Sequence, residues 1–181
     1  MLTYQQTQQI LDTAELIYSE QVVSQTVHRL AEAITQTLSQ QQPLVLCVMG
    51  GAVVFTGQLL PQLRFPLDFD YLHLTRYNKK MRGGEIHWLA EPMETMKNLV
   101  VLVLDDILDE GITLAAIRDK VLEKGAKAFY SAVLTEKETG KLKPFKADFV
   151  GLTVPDRYVF GFGMDIYGAW RNLPAIYAVK D

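Results

Sequence analysis

The sequence predicts an α/β fold: a doubly wound, mainly parallel sheet flanked by helices, with a small hood subdomain. Three observations carry the prediction. The run Leu44-Val45-Leu46-Cys47-Val48-Met49 and the run Val100-Val101-Leu102-Val103-Leu104 are apolar at every position, as strands buried on both faces are. Each passes through glycine or a polar turn into a helical stretch, at residues 52–63 and 111–124. The second of these helices leads to another strand-like run at 128–134, which gives a strand, helix and strand within one βαβ-sized segment.

Taken in order, residues 4–41 carry Ile10, Leu11, Ala14, Ile17 and Tyr18, then Val22, Val23, Val27, Leu30, Ile34 and Leu38 at helical spacing. This predicts two helices broken near Ser19. The segment is rich in glutamine, but the regular apolar stripe marks a packed helical face. Pro43 starts the first strand. Further β-rich runs lie at 67–74, 85–89 and 99–104, and Gly125 is placed to cap the helix before it in the left-handed conformation. The later apolar pieces, 149–154, 158–162 and 175–179, have no long helices between them and are expected to add sheet edges or the small subdomain. No repeat or linker divides the chain. One domain over 1–181 is expected, with N-terminal helices in 1–41 and the remaining elements in 42–181.

Composition narrows the function. With 49% hydrophobic and 22% charged residues the chain has the make-up of a folded protein, not a disordered one. Eighteen basic residues against 21 acidic ones give −3, so no global positive field holds a nucleic-acid backbone or an anionic membrane. Any anionic ligand must be held by local geometry. A lone Cys47 forms no internal disulfide and supplies no cysteine zinc site, and Met1 to Gln6 lack a secretory signal. No apolar run approaches membrane-spanning length. A soluble cytoplasmic protein is expected.

The most informative stretch is residues 100–113, an apolar strand that delivers Asp105, Asp106 and Asp109 and then Glu110-Gly111-Ile112-Thr113 into a helix. Ligands of open α/β sheets bind outside the carboxyl ends of such strands. Asp105 and Asp106, expected at that edge, suit the vicinal hydroxyls of a sugar or a divalent metal, and the turn at the helix N-terminus suits a phosphate. Two adjacent acids alone would read as a helix cap. Three acids with glycine and threonine at the exit of a wholly apolar strand do not. No P-loop occurs, and Gly161-Phe162-Gly163 lacks the third glycine of a dinucleotide fingerprint, since Ile166 stands there.

This stretch resembles the phosphoribosyl-pyrophosphate signature of the type I phosphoribosyltransferases. Lys137, Phe149-Val150-Gly151 and the run from Val154-Pro155-Asp156-Arg157-Tyr158 to Met164-Asp165 look like the base-recognition half of the hypoxanthine-guanine phosphoribosyltransferases. The resemblance spans about Leu44 to Ala178. It implies the type I phosphoribosyltransferase fold and transfer of ribose 5-phosphate from phosphoribosyl pyrophosphate to a 6-oxopurine, with Mg2+ bound. Asp105 and Asp106 would hold the ribose hydroxyls, residues 110–113 the 5-phosphate, and Asp109 would be the general base. Lys137 would donate to the purine O6, Tyr158 stack on the base, and the backbone of Val159 read its pyrimidine edge. Asp165 would hold magnesium and Arg171 contact pyrophosphate.

Residues 75–84, with Arg76, Lys79, Lys80 and Arg82 ahead of two glycines, read equally as a basic lid or a solvated hairpin tip, and the match of Tyr77 to the lid tyrosine of the family favours the lid. Two positions depart from the family pattern. Met49 precedes Gly50-Gly51 where a basic residue is frequent, so contact there must come from backbone N–H groups. Glu110 replaces the usual threonine, and its side chain is expected to point away from the phosphate. Cys47 reads as packing, and His28, His73 and His87 are too scattered for a metal site. The resemblance implies a homodimer or homotetramer and no nucleic-acid or membrane partner. The alternatives are a regulatory protein that senses phosphoribosyl pyrophosphate, or a transferase that prefers xanthine or another base.

Overall fold

Residues 2–76, 86–92 and 95–180 are described by a computed structural model of the chain. Thr3 and Gln6 form a capping box that starts α1 (Tyr4–Thr13), and the Ser19 hydroxyl accepts the Val22 N–H to start α2 (Glu20–Leu38). The break near Ser19 is as expected, but Ile17 and Tyr18 are not helical. They belong to β1 (Glu15–Tyr18), which pairs with a strand from the far end of the fold. Local periodicity carries no trace of that partner.

Next come β2 (Leu44–Met49) and α3 (Val53–Leu59). The helix expected over 52–63 gives way to a 3-10 turn at Leu60–Gln62, where Pro61 lacks the N–H that an α-helix needs. Then follow β3 (Asp68–Arg76), β4 (Ile86–Ala90), β5 (Val100–Leu108), α4 (Ile112–Glu123), β6 (Ala128–Glu138), β7 (Phe149–Pro155), β8 (Val159–Phe160) and β9 (Ile176–Ala178). The main sheet has the order β4-β3-β2-β5-β6-β7, parallel throughout except for β4, which runs against β3. The chain enters in the middle at β2, moves to β3 on one side and crosses to β5 on the other. The winding therefore reverses between β2 and β5, and a crevice opens beyond their carboxyl ends.

Strand β5 shows why its sequence is apolar on both faces. Leu102 and Leu104 pack with Val27, Leu30, Ile34 and Leu38 of α2 and with Phe55 of α3, while Val101 and Val103 pack with Leu114, Ile117 and Val121 of α4. All are buried. Two strands run further than expected. β5 continues through Asp105 and Asp106 to Leu108, and β6 continues through Lys137, because the two stay paired as far as Leu108 and Glu136. The acids at 105 and 106 and the lysine at 137 are thus strand residues, not loop residues.

The later pieces divide as the sequence suggested. β7 forms the sheet edge, and β8 and β9 join β1 in a small antiparallel sheet of order β1-β9-β8, the hood. Tyr18 donates its hydroxyl to the Thr153 carbonyl at 2.6 Å, Arg157 pairs with Glu15 at 2.7 Å, and Trp170 Nε1 donates to the Thr7 carbonyl at 2.8 Å. The N-terminal segment is thereby fastened to the hood and to the edge of the main sheet. Among the described residues, no helix is long and apolar enough to cross a membrane.

Candidate active site

The crevice at the winding reversal is a cavity of about 360 Å³. It is lined by Met49, Gly50 and Gly51 after β2, His73 and Thr75 at the end of β3, and residues 105–111 with Thr113 and Arg171. A second cavity of about 240 Å³ adjoins it, lined by Asp106, Ile107, Asp109, Lys137, Tyr158, Val159, Met164 and Asp165. Asp106, Ile107 and Asp109 belong to both.

The turn between them is shaped by Gly111, whose φ of +80° suits a residue without a side chain and which stands at the N-cap of α4. Helix α4 therefore opens with the N–H groups of its first turn at the cavity, where the helix dipole favours an anion. Ile112 is exposed and faces a neighbouring hollow with Glu110, which lines both spaces.

Asp105 is buried and Asp106 half-buried. Asp105 Oδ1 accepts the Asp106 N–H at 3.0 Å, Asp106 Oδ1 accepts the Ile107 N–H at 2.9 Å, and Thr135 Oγ1 donates to the Asp106 carbonyl at 3.0 Å. Burial pushes the Asp105 carboxyl well above the usual carboxylate range, and the adjacent Asp106 charge adds to that. Burial also raises Asp106, against the hydrogen bonds from Asp105 and the Ile107 N–H and the charge of Arg171.

Gly51 fits against this pair because it has no side chain: a Cβ there would land on the Asp106 carboxylate. A Cβ on Gly163 would likewise land on the Gly51 carbonyl oxygen. Three segments far apart in sequence meet at these glycines.

On the other side, Lys137 Nζ donates to Asp109 Oδ2 at 2.9 Å. Tyr158 stacks on Tyr167 with centroids 6.3 Å apart. Burial raises the Tyr158 phenol, with the Asp165 charge adding to it, so the ring stays neutral. Asp165 Oδ1 pairs with Arg171 Nη2 at 2.6 Å, and Asp165 Oδ2 accepts the Gly168 N–H at 2.7 Å. Arg171 Nη1 donates to the Gly163 carbonyl at 2.6 Å.

Of the expected residues that are described, all but Ile112 fall on two adjoining cavities, with Asp109 at their junction. Tyr77 and the rest of the basic stretch at 77–85 lie outside the described residues. Gly51, His73, Thr75, Ile107 and Met164 also line the cavities without having been singled out as site residues. For His73 and Thr75 the available signal was position: they end the strand next to β2 in a parallel sheet.

A parallel sheet that reverses beside an acidic strand end and a glycine-capped helix start fits the phosphoribosyltransferase class. A model of the phosphoribosyl transferase domain matches residues 13–167, and the chain belongs to that family. It is similar to the hypoxanthine-guanine phosphoribosyltransferase of Aquifex aeolicus (31% identity, covering 92% of this chain and 95% of the relative). It is also similar to that of Bacillus subtilis (29% identity, covering 93% and 94%). Among solved structures, a hypoxanthine-guanine-xanthine phosphoribosyltransferase superposes with a TM-score of 0.83 at 26% identity, covering 94% of this chain and 99% of the other. The hypoxanthine-guanine phosphoribosyltransferases are the branch in which the chain falls.

Proposed function

We propose that the protein acts in purine salvage, transferring ribose 5-phosphate from phosphoribosyl pyrophosphate to hypoxanthine, and to guanine, to give IMP or GMP and pyrophosphate. The observation that carries this reading is the sharing of Asp106, Ile107 and Asp109 by a cavity suited to a sugar phosphate and a cavity suited to a base. The bond that forms must lie where the two meet.

In this reading the N–H groups of the turn at 110–113 and the Thr113 hydroxyl hold the 5-phosphate. The backbone at Met49, Gly50 and Gly51 and the guanidinium of Arg171 hold pyrophosphate. Asp105 and Asp106 accept from the ribose hydroxyls. As the bond from the anomeric carbon to pyrophosphate breaks, the sugar becomes cationic, and the negative charge of Asp106 lies at the junction to stabilise it. N9 of the purine bonds to that carbon while its N7 proton passes to Asp109. Lys137, which bonds to Asp109 at 2.9 Å, turns its ammonium to O6. An ammonium donates but cannot accept, so it selects an oxo group over an amino group and favours hypoxanthine and guanine over adenine. Tyr158 stacks on the ring, and Val159 offers its backbone to the pyrimidine edge.

The donor set fits Mg2+, which takes one or two carboxylates and completes its shell with water and phosphate oxygens. Asp165 would hold the ion, which when bound would neutralise charge on the departing pyrophosphate. The reading includes a cytoplasmic location, supported by the buried free thiol of Cys47, and assembly as a homodimer or homotetramer, supported by Phe69 and Tyr71 standing exposed on β3.

The test is pyrophosphate release by the purified protein with phosphoribosyl pyrophosphate and Mg2+, offering hypoxanthine, guanine, xanthine and adenine separately. Release with hypoxanthine and guanine but not adenine is expected. Release only with xanthine would replace the substrate assignment, and binding of phosphoribosyl pyrophosphate without release to any base would favour a sensing role.

A further inference from the structure

Lys143 lies in the connection between β6 and β7, outside every motif discussed above, yet its side chain is only 11% exposed. Lysine is rarely buried unless its charge is met. Its ammonium donates to the Lys137 carbonyl at 2.7 Å, to Glu136 Oε1 at 3.0 Å and to the Leu108 carbonyl at 3.2 Å. An ammonium has three N–H donors, and here each has an acceptor.

The position of those acceptors gives the contact its meaning. The ladder between β5 and β6 ends at the pair Leu108 and Glu136. Beyond it the strands part to admit the second cavity, and Asp109 and Lys137 are the first residues past the last rung. Lys143 binds the carbonyl just before Asp109 and the carbonyl of Lys137 itself. It thus replaces the missing rung with a charge-assisted one, gripping both backbones next to the two side chains, Asp109 and Lys137, that bond to each other at the cavity.

We propose that Lys143 is a positioning residue for base recognition: its ammonium fixes the separation of Asp109 and Lys137 so that both meet one rigid purine, at N7 and at O6. The proposal rests on the function proposed above. Phosphoribosyl pyrophosphate is held in that reading by the turn at 110–113 and by the loop after β2; the Lys143 stem packs beside Gly111, but none of the three bonds of its ammonium goes to either segment.

The test compares KM for guanine and KM for phosphoribosyl pyrophosphate in wild type and in Lys143→Met, with folding followed by circular dichroism. The guanine KM is expected to rise by about tenfold or more while the other stays within about twofold. Glu136→Gln, which leaves both carbonyl bonds in place, is expected to keep the guanine KM close to wild type. If Lys143→Met does not fold, Lys143→Arg serves instead. Its planar head cannot make all three bonds from one point, and a selective rise in guanine KM of about threefold or more is expected. An unchanged guanine KM in the folded variant, an equal rise in both constants, or the full effect reproduced by Glu136→Gln would overturn the proposal. A wild type that turns over no purine would refute the proposed function and this inference with it, whereas an active wild type with indifferent Lys143 variants would refute the inference alone.

Discussion

Gly51→Ala adds one methyl group at the most crowded point of the site. The new Cβ would overlap the Asp106 carboxylate, which is not free to yield: its Oδ1 is bonded to the Ile107 N–H at 2.9 Å and its main chain to Thr135 at 3.0 Å. Retreat of residue 51 is blocked by the close approach of Gly163 to its carbonyl. Overpacking of this kind costs about 1–3 kcal/mol, which in a chain of this size lowers Tm by roughly 4–8 °C for about 2 kcal/mol. Activity should suffer more than stability. A shift of about 1 Å in Asp106, at the junction of donor and acceptor, is expected to lower kcat/KM by about a hundredfold. Thermal denaturation and the pyrophosphate-release assay measure the two effects. Gly50→Ala is the control for stability, because no atom lies within 4 Å of the Cβ it would add, and its Tm should match wild type. A Gly51→Ala protein with wild-type Tm and wild-type kcat/KM would show that the contact with Asp106 is not as tight as described.

Asp109→Asn removes the proton acceptor but keeps the shape. Turnover should fall by about a hundredfold or more while binding of phosphoribosyl pyrophosphate, followed by calorimetry, is retained; full turnover would exclude Asp109 as the base. Asp105→Asn should change the pH dependence of stability. Because the Asp105 carboxyl is raised in the folded protein, its contribution is complete below the unfolded value of about 3.9 and is lost as pH rises through the folded value. The variant should therefore gain in Tm relative to wild type as pH rises above about 4, and parallel Tm profiles would contradict the raised Asp105 carboxyl. Ile34→Ala, at a fully buried position on the α2 stripe, should cost about 2–5 kcal/mol in urea denaturation with little effect on the KM values of the remaining folded protein.

The parts of the fold that could be read from the sequence are those whose signals are local. An unbroken apolar run announces β2 and β5, and the turn from Asp109 to Thr113 announces the start of α4. The parts that could not be read depend on partners distant in sequence. β1 is a strand because Ile176–Ala178 lies beside it, and Asp105 and Asp106 are strand residues because β6 stays paired beyond them. The site divides in the same way. Asp105, Asp106, Asp109, Lys137, Tyr158 and Asp165 stand in recognisable runs, and the structure brings them to two adjoining cavities. The interlock of Gly51, Asp106 and Gly163, the pairing of Lys137 with Asp109 and the bonds of Lys143 are tertiary, and no spacing along the chain encodes them.

The order of strands in the hood has a consequence for synthesis. Its middle strand, β9, follows every other element of the fold, and Val159 of β8 is paired to Ala178 of β9. On the ribosome, β2, β5 and α4 are complete and able to assemble while β1 and β8 still lack the strand that joins them. The second cavity is thus finished last. Translation that stops just short of β9 would yield a chain that has the glycine-capped turn before α4 but leaves Tyr158 and Val159 without the sheet that anchors them.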